Sequence, residues 1–193
     1  YETHKAKTYP RSDSGYLPES MLAEVPTVLD SLVKTDPSLR PLIERLDRQL
    51  RSRAWNDGKV SAHHGIIPTL EPANLSAMNE KELAVYRLIR AHYLAQFLPH
   101  HEFDRTVAQF SCGSQSLAAV GKQIAVTGWR EVLATPGPDD AGCEDAQRSQ
   151  VLPALHAGLS CPVGKVDLKA LKTLPPKPYT QGELIKAMKT VAK

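Results

Sequence analysis

The chain has 193 residues, of which 41% are hydrophobic and 23% charged, with a formal net charge of +3. These values are typical of a globular protein with a sizeable core, in one domain or two small ones. The charge is too small to indicate a nucleic-acid partner by itself, and no apolar run reaches membrane-spanning length. Three widely spaced cysteines argue against a disulfide framework or a paired-cysteine zinc site, so we expect a reducing cytoplasm.

The sequence KTYPRSDSGYLP at residues 7–18 predicts an irregular, rigid loop. Pro10 and Pro18 fix their own φ angles and restrict the residue before each of them. The residues between the two prolines include four that are typical of turns and caps: Ser12, Asp13, Ser14 and Gly15. The loop therefore holds polar side chains in place, among them the phenol of Tyr9 and the guanidinium of Arg11.

Two helical regions are predicted next. Residues 19–53 contain an apolar stripe at three- and four-residue spacing: Leu39, Leu42, Ile43, Leu46 and Leu50. Three arginines lie on the opposite face: Arg45, Arg48 and Arg51. That face is either a phosphate-facing ridge or a solvated surface. A second helix is predicted over residues 77–97 with Ser76 as its N-cap. Its stripe favours core packing over base stacking: Leu83, Tyr86, Ile89, Tyr93 and Phe97.

The second half of the chain has a different texture. Residues 104–133 consist of short β-prone runs separated by Gly and Ser, which predict antiparallel strands. Residues 135–148 are acidic and rich in Pro and Gly, which indicates a surface loop. Further strand is predicted over residues 151–173, and a last helix from about Gln181. Residues 161–193 carry seven lysines and two acidic residues, which suits either a polyanionic partner or a solvated surface.

Two loops offer side chains for chemistry, one with Tyr9 and Arg11 and the other with His63 and His64. A phenol has a pKa of about 10, so as a nucleophile it needs its proton removed and a positive field around it. Arginine suits the negative charge of an attacked phosphodiester, and histidine binds phosphate or relays a proton. The residue types alone are also compatible with two ordinary polar loops that have no chemical role. Zinc is disfavoured because adjacent histidines lack the usual ligand spacing: His63–His64 and His100–His101.

Five segments, in chain order, resemble motifs of one enzyme family. TYPRSDSGYLP is similar to the active-site tyrosine motif of type IA DNA topoisomerases, and AHHGIIPT to the second motif of their topoisomerase III branch. LSAMNEKELAVYRLI resembles the helix after that motif, GKQIAVTGWREVL the strand pair ending in Gly-Trp, and LPPKPYTQGELIKAM a later Pro-Pro segment. The motifs span nearly the whole chain at the expected separations, so it is identified as a member of the bacterial topoisomerase III branch.

The resemblance implies an α+β fold in three parts. Residues 1–103 would form a mainly helical domain that bears the active-site tyrosine and is incomplete at its N-terminus. Residues 104–178 would form antiparallel β segments of the topoisomerase arch, including the acidic loop. Residues 179–193 would begin the next helical domain.

The resemblance also implies roles for individual residues. Tyr9 matches the nucleophile that becomes joined to a DNA 5′-phosphate, Arg11 the arginine that positions the scissile phosphate, and His63 the active-site histidine. Contacts to single-stranded DNA are expected from these and neighbouring side chains: Lys7, Arg11, Ser12, His63 and His64. Asp13 is expected either to orient His63 or Arg11, or to cap the helix that begins near Pro18.

The sequence departs from the family pattern in two ways. Nothing matches the Toprim domain, whose acidic cluster would bind Mg²⁺ and whose glutamate would handle protons, and Gly65 stands where alanine is more usual. We therefore expect a fragment of a bacterial, cytoplasmic, nucleoid-associated topoisomerase that is inactive without the remainder of its parent chain. The alternatives are a stand-alone single-strand DNA-binding module without catalysis and a structural domain with degenerate motifs.

Overall fold

The computed structural model describes residues 3–12, 14–133, 151–167, 170, 172–173, 175 and 178–191, with side chains only up to residue 188 in the last range. The chain forms two compact units, Tyr1–Leu155 and His156–Lys193. The described residues of the first unit form three α-helices and two strands: α1 Val25–Thr35, α2 Arg40–Glu44, α3 Glu80–Leu94, β1 Glu102–Cys112 and β2 Gln115–Val126. The second contains α4, Gln181–Val191. The predicted α+β class and the predicted last helix are confirmed.

The first helical region ends earlier than predicted. Short 3₁₀ turns at Glu19–Glu24 and Pro37–Leu39 flank α1, and the helical path stops at Glu44. The predicted continuation to residue 53 is wrong because the carboxylate of Asp47 accepts the backbone N–H of Gln49 at 2.9 Å. Such a side-chain turn competes with helical hydrogen bonding and redirects the chain.

Helix α3 begins at a different cap from the one predicted. Asn79 is its N-cap: the side chain accepts the Glu82 N–H at 3.0 Å, and the Glu82 carboxylate accepts the Asn79 N–H at 2.9 Å. This reciprocal capping box satisfies two otherwise unpaired backbone donors. Ser76, the predicted cap, lies in a 3₁₀ turn and donates its hydroxyl hydrogen to the side chain of Asn74 instead.

The aromatic side chains of α3 pack in the core. Tyr93 meets Phe97 edge to face with ring centroids 5.3 Å apart, and Trp55 lies 6.1 Å from Phe97 on another side. Leu29 and Leu32 of α1 are fully buried in the same cluster. The predicted apolar stripe is therefore confirmed as a core face at its aromatic positions, where such contacts remove aromatic surface from water.

The predicted antiparallel strands are confirmed in part. Strands β1 and β2 form a two-stranded antiparallel hairpin with Arg105 opposite Lys122. The chain then turns through a 3₁₀ segment, Gly128–Glu131, where strand was predicted to continue. Gly128 has a φ of +53°, and the N–H of Trp129 donates to the carbonyl of Pro99 at 3.0 Å. This tight approach to the end of the helical region explains why the strand stops.

The further strand predicted over residues 151–173 is wrong for the part of that stretch that the structure describes, which contains no strand. Pro153 and Pro162 interrupt it, and proline offers no N–H to a ladder. The predicted acidic loop, residues 135–148, lies outside the described residues. The predicted domain boundaries after residues 103 and 178 stay predictions.

We expect Gly128→Ala to destabilise the protein by more than about 2 kcal/mol, because a left-handed φ is costly for alanine and the methyl group would overlap backbone. The added carbon would collide with the carbonyls of Pro99 and His100. Gly113→Ala is the matched control, since its φ is +60° and no atom lies within 4 Å of the added carbon. It should cost only about 1–2 kcal/mol in urea-unfolding measurements. Equal losses would contradict the packing at Gly128.

Candidate active site

Two loops that are distant in sequence are paired with each other. We call residues 7–18 the tyrosine loop and residues 60–69 the histidine loop. The N–H of Thr8 donates to the carbonyl of Ile67 at 2.9 Å, and the N–H of Ile67 donates to the hydroxyl oxygen of Thr8 at 3.0 Å. This reciprocal pair fixes the register of one loop against the other.

Further contacts extend the pairing in both directions. Lys7 and Pro68 form an antiparallel β-bridge beside the Thr8–Ile67 pair. At the other end of the loops, the N–H of Gly65 donates to the carbonyl of Tyr16 at 2.7 Å. The two loops are therefore hydrogen-bonded to each other near both ends of the tyrosine loop.

The core anchors this unit from behind. Leu17, at the end of the tyrosine loop, forms a parallel bridge with Trp55 and exchanges backbone hydrogen bonds with Ala54 and Asn56 at 2.7 and 2.9 Å. Leu17 and Trp55 are both buried. The hydroxyl of Ser31 in α1 donates to the carbonyl of Thr69 at 3.2 Å, which ties the histidine loop to a core helix.

The pairing brings Tyr9 and His63 together. Their ring centroids are 5.0 Å apart and the ring planes are inclined by 47°. Both side chains lie at the surface, and Tyr9 is 42% exposed. A phenol and an imidazole at this distance share one small surface that a phosphodiester could reach from solvent.

The other predicted site residues lie on the same two loops. Arg11 is exposed, two residues after Tyr9. The hydroxyl oxygen of Ser12 accepts the N–H of Ser14 at 3.2 Å, so Ser12 also has a local structural role. Asp13 lies outside the described residues, and its two predicted roles stay predictions.

His64 and Lys7 lie partly inside the protein. The Nδ1 atom of His64 is 2.7 Å from the carbonyl oxygen of Gly65. Because a carbonyl only accepts, Nδ1 carries the proton and the second ring nitrogen, Nε2, is left for other partners. Burial lowers the pKa of Lys7 below the ordinary value of a lysine.

The site also depends on residues to which the sequence interpretation gave no role in the site. Thr8 and Ile67 set the loop register, and the backbone N–H of Gly65 ties the histidine loop to Tyr16. A hydrogen-bonding residue directly before the Tyr-Pro pair was the available signal for Thr8. Nothing in the local sequence of Ile67 indicates its partner.

The described part of the chain offers no metal centre. It holds no group of three or more His, Cys, Asp or Glu side chains that could bind a metal ion. The described residues therefore offer no ligand set for the Mg²⁺ of the family resemblance. Among the same residues, no helix is long and apolar enough to span a membrane.

Comparison with known proteins decides the family. The sequence profile of the DNA topoisomerase family matches residues 1–192. The chain belongs to this family. It is 37% identical over 197 residues to DNA topoisomerase 3 of Pasteurella multocida and 35% identical over 193 residues to that of Vibrio cholerae. DNA topoisomerase 3 of Bacillus subtilis is 36% identical over 192 residues.

These matches cover nearly all of the chain but only part of each relative. They include 100%, 100% and 97% of this chain, against 29%, 29% and 26% of the three relatives. The resemblance to the bacterial topoisomerase III branch is thereby confirmed. The chain spans less than a third of the length of these topoisomerases, so the activity of the whole protein is a proposal.

We expect Gly65→Ala to stabilise the protein by about 0.4–1 kcal/mol, because alanine lowers the conformational entropy of the unfolded chain. This gain is kept where the native φ angle is one that alanine adopts without strain. The added carbon would lie 3.4 Å from the carbonyl oxygen of Tyr16 and 3.5 Å from the nearest atoms of Gly15 and Ser14, which are ordinary contacts. Gly15→Ala is the matched control, because no atom lies within 4 Å of its added carbon. Urea unfolding measures both; destabilisation by Gly65→Ala alone would show that the loops cannot accept a methyl group.

Proposed function

We propose that this chain carries the nucleophile of a type IA DNA topoisomerase, with Tyr9 attacking one DNA strand. The enzyme would hold the cleaved strand through a 5′-phosphotyrosine link, pass another strand and reseal the break without ATP. The observation that carries the proposal is the 5.0 Å separation of the Tyr9 and His63 rings, on two loops held in register by hydrogen bonds.

The cleavage step is a transesterification. The phenol of Tyr9 loses its proton, and its oxygen forms a bond to phosphorus while the bond from phosphorus to the 3′-oxygen breaks. The 3′-oxygen takes up a proton and leaves as a hydroxyl. One phosphodiester is exchanged for another, so the link stores the energy needed for resealing, which is the same reaction in reverse.

The neighbouring side chains suit the charges of this reaction. The guanidinium of Arg11 would offer a fork of N–H donors to the non-bridging oxygens as negative charge develops on them. His63, in ring contact with Tyr9, would orient the phenol or the phosphate. Lys7, Ser12 and His64 would add further contacts to the strand.

Several parts of the proposal lie outside these 193 residues. Mg²⁺ and the proton-handling glutamate would belong to a Toprim domain in the remainder of the parent chain. Without them we expect the segment alone not to cleave DNA, because groups that act as one unit lose nearly all of the rate when separated. A nucleoid location would follow from the DNA substrate. No observation favours the alternative of a stand-alone DNA-binding module.

Tyr9→Phe in the complete chain that contains this segment should abolish the covalent DNA adduct. It should leave the Kd for single-stranded DNA within about twofold, because the surface change removes one hydroxyl. Denaturing gels with labelled DNA measure the adduct, and fluorescence anisotropy measures the Kd. Tyr16→Phe, on the same loop, is the matched control and should retain the adduct. An adduct formed by Tyr9→Phe would identify a different nucleophile.

Arg11→Ala should weaken binding of single-stranded DNA by about tenfold, as expected for one charge-assisted contact to a phosphate. The slope of log Kd against log salt should fall by about one. Arg48→Ala, which removes an equal charge from the exposed surface after α2, should change neither value appreciably. Equal losses in an anisotropy titration would show that long-range charge, and not the tyrosine loop, determines affinity.

A further inference from the structure

The hydrogen bonding between Thr8 and Ile67 differs from an ordinary β pair. In an antiparallel hydrogen-bonded pair, two residues exchange both of their backbone N–H···O=C bonds. Here one bond is ordinary, from the N–H of Thr8 to the carbonyl of Ile67 at 2.9 Å. In the other, the N–H of Ile67 donates to the side-chain hydroxyl of Thr8 at 3.0 Å rather than to its carbonyl. The side chain thus substitutes for the backbone at this position.

This substitution ends the ladder one residue before Tyr9. The Ile67 N–H is bonded to the Thr8 hydroxyl and not to the Thr8 carbonyl, so this ladder bond does not hold the peptide that joins Thr8 to Tyr9. On the other side of Tyr9, Pro10 has a fixed φ and offers no N–H. The backbone position of Tyr9 is therefore set by the Thr8 hydroxyl on one side and by a proline ring on the other.

We infer that Thr8 is a positioning residue for the cleavage reaction, acting through the orientation of the peptide that precedes Tyr9. The inference rests on the proposed function of Tyr9. Without the hydroxyl, the backbone N–H of Ile67 loses its acceptor, and buried N–H groups are rarely left unpaired. The Thr8–Tyr9 peptide then rotates until the Thr8 carbonyl accepts this N–H. That rotation moves the Tyr9 ring away from His63.

The test compares isosteric variants in the complete chain that contains this segment. Thr8→Val removes the acceptor while keeping the shape of the side chain, and Thr8→Ser restores a hydroxyl. Thr35→Val is the matched control: the Thr35 hydroxyl accepts the N–H of Ala73 at 2.9 Å, the same kind of bond, but it lies at the end of α1. Three quantities are measured: the single-turnover rate of adduct formation at saturating single-stranded DNA, the Kd and the thermal unfolding midpoint.

Thr8→Val should lower the rate of adduct formation by about 10- to 100-fold, as expected when a reacting group is displaced by about 1 Å. The Kd should stay within about twofold, because the phosphate-binding side chains are unchanged. Thr8→Ser should recover the rate to within about threefold of wild type, while Thr35→Val should lower the unfolding midpoint and keep the wild-type rate. This split between rate and affinity is not expected from a residue with a purely structural role.

Three results would overturn the inference: a wild-type rate for Thr8→Val, a rate for Thr8→Ser as low as that of Thr8→Val, or an equal loss of rate in Thr35→Val. Should Thr8→Val fail to fold, Thr8→Ala takes its place with the same criteria, because it also removes the hydroxyl that accepts the Ile67 N–H. Failure of the proposed function is distinguishable: the wild type would then form no adduct, or Tyr9→Phe would still form one.

Discussion

The hydrogen bonds between Thr8 and Ile67 join two loops whose paired residues are 59 positions apart in the chain. The geometry of the candidate site depends on this pairing, because Tyr9 follows Thr8 directly and His63 lies a few residues before Ile67. A slip in register would separate a phenol and an imidazole that are now in ring contact. Catalysis by positioned groups is sensitive to such displacements, since a reacting atom must be held within a fraction of an ångström.

The pairing is stable because the protein anchors both loops to its core. Leu17 ties the tyrosine loop to the buried Trp55, and Ser31 of α1 ties the histidine loop through the carbonyl of Thr69. Trp55 in turn packs on Phe97, at the end of the α3 region. The exposed site residues therefore rest on a buried aliphatic and aromatic cluster, which supplies the rigidity that surface loops lack by themselves.

The 3₁₀ turn after β2 meets the helical region through an ion pair and through close backbone packing. Arg45 and Glu131 form an ion pair at 2.6 Å, but both side chains are substantially exposed, so water and salt screen their attraction. The approach of Gly128 to the carbonyls of Pro99 and His100 leaves no space for a side chain. The close backbone packing, more than the ion pair, determines where the 3₁₀ turn after β2 rests against the helical region.

Features that depend on near neighbours in the chain were predictable from the sequence alone. The apolar stripe of α3, the hairpin strands and the start of α4 follow from periodicity and propensity, and the motifs around Tyr9 and His63 identified the family. The sequence prediction was wrong where side chains compete for the same backbone N–H groups: Asp47 ended a predicted helix, and Asn79 replaced Ser76 as the cap. The pairing of Thr8 with Ile67 and the ring contact of Tyr9 with His63 arise only in the folded chain. Hydrogen bonds between residues 59 positions apart depend on how the whole core packs, so no short sequence pattern predicts them.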